Sequence, residues 1–215
     1  MIVFDEARSN FPLPPGRVST IVHASGTISG RIRGVLLRGL LSLASGIDRV
    51  TKAFGVLAAL LVAAACLISA LNAISRYTLD MSSNAFLEIQ WQMFAGMFLL
   101  GTAHVLKLNE HVRVDLFYGS MTERNKLWVD VFGFVVFFFP VCVIMLEMSY
   151  PWAYASFVAG EGSANAGGLP VWPAKMLLPL GFTLLTLQGI AELIRRIAAL
   201  RGVIVLDVSY EKPVQ

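Results

Sequence analysis

The residues best suited to chemistry in this 215-residue chain are ionisable side chains that interrupt long apolar runs. Charged groups in such runs are costly in lipid, so they are the first candidates for a proton relay, an ion site or an inter-helix contact. Each of them, however, lies near one end of its run: Glu88, Asp130, Glu147, Lys175 and Glu192. A relay needs polar groups at mid-run. The pattern favours solvation at a membrane face, pairing of Lys175 with Glu147 or Glu88, or contact with a partner subunit.

Motifs of known enzyme classes are absent from the sequence. It has no HExxH zinc signature, no nucleophile-elbow serine and no pair of mid-run carboxylates. The two cysteines, Cys66 and Cys142, stand alone in apolar runs, which is typical of small buried residues. His104 and His111 could ligate haem only if both faced one cofactor, and this leaves the membrane anchor of a redox complex as an alternative function. We expect no enzymatic activity, cofactor or metal.

Four apolar runs of about 20 residues each have the length needed to cross about 30 Å of hydrocarbon as a helix. Hydrophobic residues make up 56% of the chain, charged residues only 14%, and the mean hydropathy is +0.69. These values are typical of membrane proteins and not of soluble domains. We therefore predict an all-α integral membrane bundle of four transmembrane helices, in residues 54–74, 86–106, 127–150 and 174–194.

The basic residues predict the orientation of this bundle. Of the 17 lysines and arginines, only Arg76 and Lys175 fall outside the N-terminal segment, the middle loop and the C-terminal segment. Because positive residues are retained in the cytoplasm, both termini and the middle loop should be cytoplasmic, with Glu88, Glu147 and Lys175 at the outer face. The basic residues flank apolar runs and do not cluster with aromatics, which favours anionic lipid headgroups over nucleic acid as their partners.

The chain divides into four predicted segments. Residues 1–27 show no periodicity and should form a disordered cytoplasmic lead. In residues 28–52, apolar residues recur at helical spacing beside three arginines, which predicts a basic amphipathic helix on the inner leaflet or, alternatively, a cytoplasmic extension of the first span. Residues 53–200 form the membrane domain, and residues 201–215 form a cytoplasmic tail. The first apolar run begins too late for a signal peptide.

The middle loop carries an unusual alternation of apolar and ionisable residues. His111, Arg113 and Asp115 alternate with apolar residues that include Val112 and Val114. Such a pattern predicts a short element half-buried in the inner interface or docked in a cleft of a partner. Beyond it, Thr122 is a candidate N-cap of the third helix. Pro140 and Pro179 lie inside the third and fourth runs and should kink their helices.

Several of these motifs together resemble a known family. The stretches Gly101-Thr-Ala-His and His111-Val-Arg-Val-Asp-Leu resemble those of the DctQ-like small membrane subunit of tripartite ATP-independent periplasmic (TRAP) transporters. Glu88-Ile-Gln-Trp and the segment 165–173 resemble the branch labelled as mannitol/chloroaromatic transporters. The likeness covers roughly residues 50–200. The chain departs from much of the family where Gln92, and not an acidic residue, follows Trp91.

The resemblance implies a scaffolding role in the bacterial inner membrane. In this family the small subunit braces a large membrane subunit that performs sodium-coupled uptake of an organic solute, here expected to be a carboxylate. A periplasmic solute-binding protein delivers the solute, so the implied partners are that protein, the large subunit and membrane lipids. The candidate subunit-interface or structural polar residues are Glu88, Gln90, Trp91, Gln92, His111, Arg113, Asp115, Glu147 and Lys175.

Overall fold

A computed structural model describes residues 28–80, 83–108 and 121–204 of the chain, with side chains from residue 37 onward. These residues are α-helical apart from loops and one isolated bridge between Gly162 and Pro170. The lead, most of the tail and the middle-loop residues His111, Arg113 and Asp115 lie outside the described residues. The helices are α1 (Ile28–Thr78), α2 (Asn84–Leu108), α3 (Glu123–Gly133), α4 (Phe139–Val158) and α5 (Trp172–Leu200), with a π-helix, Phe134–Phe138, joining α3 to α4.

Three helical segments in the described part of the chain are long and apolar enough to cross a membrane: Leu37–Thr78, Glu123–Val158 and Trp172–Leu200. The α2 helix has 25 residues, which is sufficient length, but Glu88 and its other polar residues lower its hydropathy and it is not one of the three. The all-helical prediction is therefore confirmed for the described residues, and three of their helices are long and apolar enough to be membrane spans. The fourth span and the cytoplasmic position of both termini stay predictions.

The α1 helix is a single helix of 51 residues. At 1.5 Å per residue it is about 76 Å long, more than twice the thickness of the hydrocarbon layer. Residues 28–52 are helical as predicted, but no break separates them from the rest of α1. This geometry fits the alternative in which the segment extends the first span, and its contact with lipid stays a prediction.

The α5 helix lies at the centre of the bundle, packed against α1, α2, α3 and α4. Within its most apolar stretch 39% of the residues are buried, against 11% in each of the other two candidate spans. Two glycines of α5 allow close packing: a Cβ on Gly181 would lie 2.9 Å from the Leu99 carbonyl oxygen, and one on Gly189 would collide with the Phe138 ring. The core itself is small, with Leu100 of α2 packed against α5.

The helix irregularity predicted at Pro140 takes the form of the π-helix, which ends directly before α4. Pro140 has no N–H to donate and its ring crowds the preceding turn, so a widened turn at this point accommodates it. Pro179 lies buried inside α5, and Pro151, which the sequence analysis did not single out, lies inside α4. Thr122 occupies the N-cap position of α3 as predicted, although its side chain makes no capping bond.

Candidate functional site

Glu88 on α2 holds the loop that connects α4 to α5, residues 159–171. The residue is only 4% exposed, and its carboxylate accepts a hydrogen bond from the Ser163 hydroxyl. It also accepts from the Asn165 side-chain amide at 2.8 Å and from the Leu169 backbone N–H at 2.6 Å. Three donors from one loop satisfy a buried carboxylate, so Glu88 fixes the loop on the end of α2.

Two further residues at four-residue spacing on the same face of α2 continue this contact. The Gln92 side chain donates to the Pro170 carbonyl at 2.9 Å, and the Asn84 side chain donates to the Ala166 carbonyl at 3.0 Å. A Cβ on Gly168 would lie 2.7 Å from the Glu88 carboxylate, so this close approach requires glycine. The set of Asn84, Glu88 and Gln92 with loop residues 159–171 is called the loop network below.

Lys175, in the first turns of α5, has a partner that the sequence analysis did not identify. It forms an ion pair with Glu161 of the loop, and its ammonium group lies 4.5 Å from the centre of the Trp152 ring. The hydrogen bond from Lys175, reinforced by one from the Ser156 hydroxyl at 2.6 Å, holds the pKa of Glu161 below its ordinary value. The predicted pairing of Lys175 with Glu147 or Glu88 is wrong, because the returning loop brings a nearer carboxylate.

The remaining predicted residues at this end are not brought into the loop network. Trp91 is 43% exposed, and Glu147 lies on the exposed surface of α4. The Gln90 amide nitrogen is buried and has no hydrogen-bond partner among the described residues. Three of the nine predicted positions, Glu88, Gln92 and Lys175, therefore meet around one loop.

A second polar cluster lies at the opposite end of the bundle, and two adjacent arginines of α5 form its centre. Arg195 pairs with Asp48 of α1 and with Glu192 of α5. Arg196 donates to Asp130 of α3 at 2.9 Å and to Glu192 at 2.6 Å. Both arginines are buried, and Glu192 accepts from each of them. These ion pairs connect three helices at one level.

Gln188 and Lys107 extend this cluster to its full size. The Gln188 side chain is fully buried; it donates to Asp48 at 3.1 Å and Glu192 at 3.3 Å and accepts from the Thr51 hydroxyl at 2.9 Å. The Lys107 ammonium lies 4.0 Å from the Asp48 carboxylate, which adds α2. The arginine network is therefore defined as Asp48, Thr51, Lys107, Asp130, Gln188, Glu192, Arg195 and Arg196.

The arginine network is electrically balanced, with three carboxylates facing three cations. Buried charges are tolerated when they are paired and hydrogen-bonded, and removing one partner of such a pair costs about 3–5 kcal/mol. The network thus fixes the relative position of the helices and leaves little bonding capacity for a solute. Within the described ranges, no group of three or more His, Cys, Asp or Glu side chains is placed to hold a metal.

The arginine network is not predicted by hydropathy or by charge counts. In the sequence Asp130 and Glu192 stand at the ends of apolar runs, and Arg195 and Arg196 contribute only to the predicted orientation. A usable signal was present: Gln188, Glu192 and Arg195 recur at four- and three-residue spacing on one face of an apolar helix. Polar residues on one face of an apolar helix indicate a buried polar contact.

Comparison with known families places both networks in context. A family profile described as "Tripartite ATP-independent periplasmic transporters, DctQ component" matches residues 65–199, more than half of the chain. The matched range contains the whole loop network and all of the arginine network except Asp48 and Thr51, which lie on the part of α1 that precedes it. No curated protein and no solved structure matches the chain. On the extent of the profile match, the chain belongs to the DctQ-component family of the tripartite ATP-independent periplasmic transporters.

Proposed function

We propose that this chain is the scaffold against which a large membrane subunit moves an organic solute across the inner membrane. As a member of this family with helices apolar enough to span a bilayer, the chain is a multi-pass inner-membrane component of a transporter and not an enzyme. The proposal adds sodium coupling in the large subunit, a carboxylate solute, delivery by a periplasmic binding protein, and four spans with both termini in the cytoplasm.

The scaffold proposal rests on the positions of the buried charged groups and on their bonding partners. The Glu88 carboxylate and the charges of the arginine network are satisfied within the chain, at the two ends of the bundle. Between these ends the described core is apolar, built around Leu100, Ala103 and Leu184. A solute path needs polar groups at mid-membrane, whereas paired charges at both ends make a bundle that resists deformation.

The surface of the bundle supports the same proposal. Both α1 and the Glu123–Val158 segment expose most of their apolar side chains, with Leu60 at 61%, Leu67 at 61% and Phe137 at 63%. Lipid and the large subunit together would cover these faces. The middle loop, with Arg113 and Asp115, remains a candidate contact with the large subunit.

The alternative function, a redox-complex anchor, is not favoured by the family match. The His104 ring, one of the two candidate haem ligands, packs so closely against α1 that a Cβ on Gly55 would lie 2.6 Å from it. The ring therefore packs against α1, and its buried Nδ1 has no hydrogen-bond partner among the described residues. His111 lies outside the described residues.

Co-purification tests the proposal directly. Mild detergent extraction of the affinity-tagged chain from its native host should recover a larger polytopic membrane protein in fixed proportion. A D48N variant, which leaves the buried Arg195 without one of its two carboxylates, should recover less of that protein than an R49Q control, since Arg49 is exposed on α1. Recovery of the chain without a large membrane protein, under conditions that keep it folded, would contradict the proposal.

A further inference from the structure

We propose that a cavity between α3 and the C-terminal end of α5 binds one anionic phospholipid. The cavity has a volume of about 350 Å³ and lies outside both networks. Among the described residues its lining comes from α3, α5 and the residue after α5: Arg124, Trp128, Val131, Ile197, Leu200 and Arg201. This inference requires the bundle to lie in a membrane and is otherwise independent of the scaffold role.

The chemistry of the lining is that of a lipid headgroup site. Four of the six side chains are aromatic or aliphatic, and the other two are arginines, one on α3 and one just after α5. Among the described residues neither Arg124 nor Arg201 has an ion-pair partner, in contrast to Arg195 and Arg196 beside them. A guanidinium binds phosphate through two parallel hydrogen bonds, so two arginines at one cavity are complementary to a phosphodiester.

The position of the cavity favours a lipid over a soluble anion. It lies between the first turns of α3 and the last turn of α5, at the end of the bundle that holds Lys107, where helices leave the apolar layer. Trp128 is 58% exposed there, and tryptophan is enriched at the membrane–water boundary. A soluble phosphate would leave the apolar walls in contact with water, whereas a phospholipid covers them with its glycerol and acyl segments. Basic pockets between membrane helices bind anionic headgroups in this manner.

The probe for this site is a photoactivatable phosphatidylglycerol, compared at equal mole fraction with photoactivatable phosphatidylcholine. Both lipids carry the reactive group near the top of the acyl chain. The chain is reconstituted in nanodiscs as it is purified, together with the large subunit where that protein co-purifies. After irradiation, peptides containing residues 124–131 and 197–201 should carry more phosphatidylglycerol than phosphatidylcholine. In an R124Q/R201Q variant the labelling ratio should fall about fivefold or more, since each basic residue contributes about that factor.

The matched control is R38Q/R49Q, which removes the same charge from exposed positions on α1 outside the cavity and should leave the ratio at residues 124–131 and 197–201 unchanged. Equal labelling by the two lipids in the wild type, or an unchanged ratio in R124Q/R201Q, would overturn the site. Loss of the large subunit from R124Q/R201Q would assign the arginines to a subunit contact and would also overturn it. Failure of the scaffold proposal is separate, because it would appear as absence of the large subunit from the wild-type preparation.

Discussion

Asp48 on the first helix and Arg195 on the last form an ion pair across 147 positions of the chain. Arg195 is buried, and Asp48 also accepts from Gln188 and lies near Lys107. One carboxylate of α1 therefore faces groups from both α2 and α5. This contact ties the long first helix to the centre of the bundle.

The D48N variant should destabilise the bundle by about 3–5 kcal/mol, because it leaves Arg195 with half of its neutralising charge. Thermal unfolding in detergent, followed by intrinsic fluorescence, measures the effect. The control is E123Q, which removes an exposed carboxylate at the start of α3. A double-mutant cycle with R195Q should give a coupling energy above about 1 kcal/mol. Additive effects of the two substitutions would show that the pair does not hold the helices together.

Because Glu161 forms an ion pair with Lys175, we predict that the stability of the protein depends on pH. The pKa of Glu161 is lowered in the folded protein, so its contribution is fully present above its ordinary value of 4.5 and is lost as pH falls through the lowered folded value. The wild type should therefore be more stable than E161Q at neutral pH, and the difference should shrink as the pH falls. Melting temperatures of both proteins between about pH 7 and pH 3 provide the comparison. A constant difference across that range would exclude the ion pair as its cause.

The loop network predicts a large difference between two glycine substitutions in the same loop. In G168A the new methyl group would meet Ser163 and Glu88, which must shift, at a cost on the order of 1–3 kcal/mol. In G162A the methyl group would meet nothing within 4 Å, which makes it the matched control. Protease cleavage of the loop in detergent should be faster in G168A than in G162A. Equal cleavage rates would mean that the close packing of Gly168 against Ser163 and Glu88 does not hold the loop in place.

The predicted orientation can be tested with single cysteines in intact spheroplasts. Ala164 is exposed in the loop, and unlike Ser163 its side chain makes no bond to Glu88, so A164C should be labelled by an impermeant thiol reagent. S120C, in the middle loop, should be labelled only after lysis. Cys66 is exposed and must first be replaced. Labelling of S120C but not of A164C in intact spheroplasts would show that the orientation is the opposite of the predicted one.

Hydropathy and residue spacing predicted the helices. They did not predict side-chain contacts between residues that are distant in the sequence, because those contacts depend on the path of the chain. Hydropathy located the last span at residues 174–194, and the observed helix, Trp172–Leu200, extends beyond it because hydrogen bonding continues past the apolar run. Glu88 could be selected from the sequence as a candidate because a carboxylate in an apolar helix needs donors, and in the structure the loop supplies them. The partner of Lys175 was missed because the fold of the loop determines which carboxylate is near. Asp48 pairs with Arg195 because the first and last helices pack side by side. Residue spacing along the sequence does not predict which helices are neighbours.

Solute uptake into proteoliposomes is the most direct measurement of the scaffold role. The large subunit, the binding protein and a sodium gradient are supplied with or without this chain, and the chain is also reconstituted alone. We predict uptake only when both membrane subunits are present, reduced uptake with D48N in proportion to lost assembly, and no flux through the chain alone. Solute flux through the chain alone, or full uptake by the large subunit without it, would contradict the scaffold role.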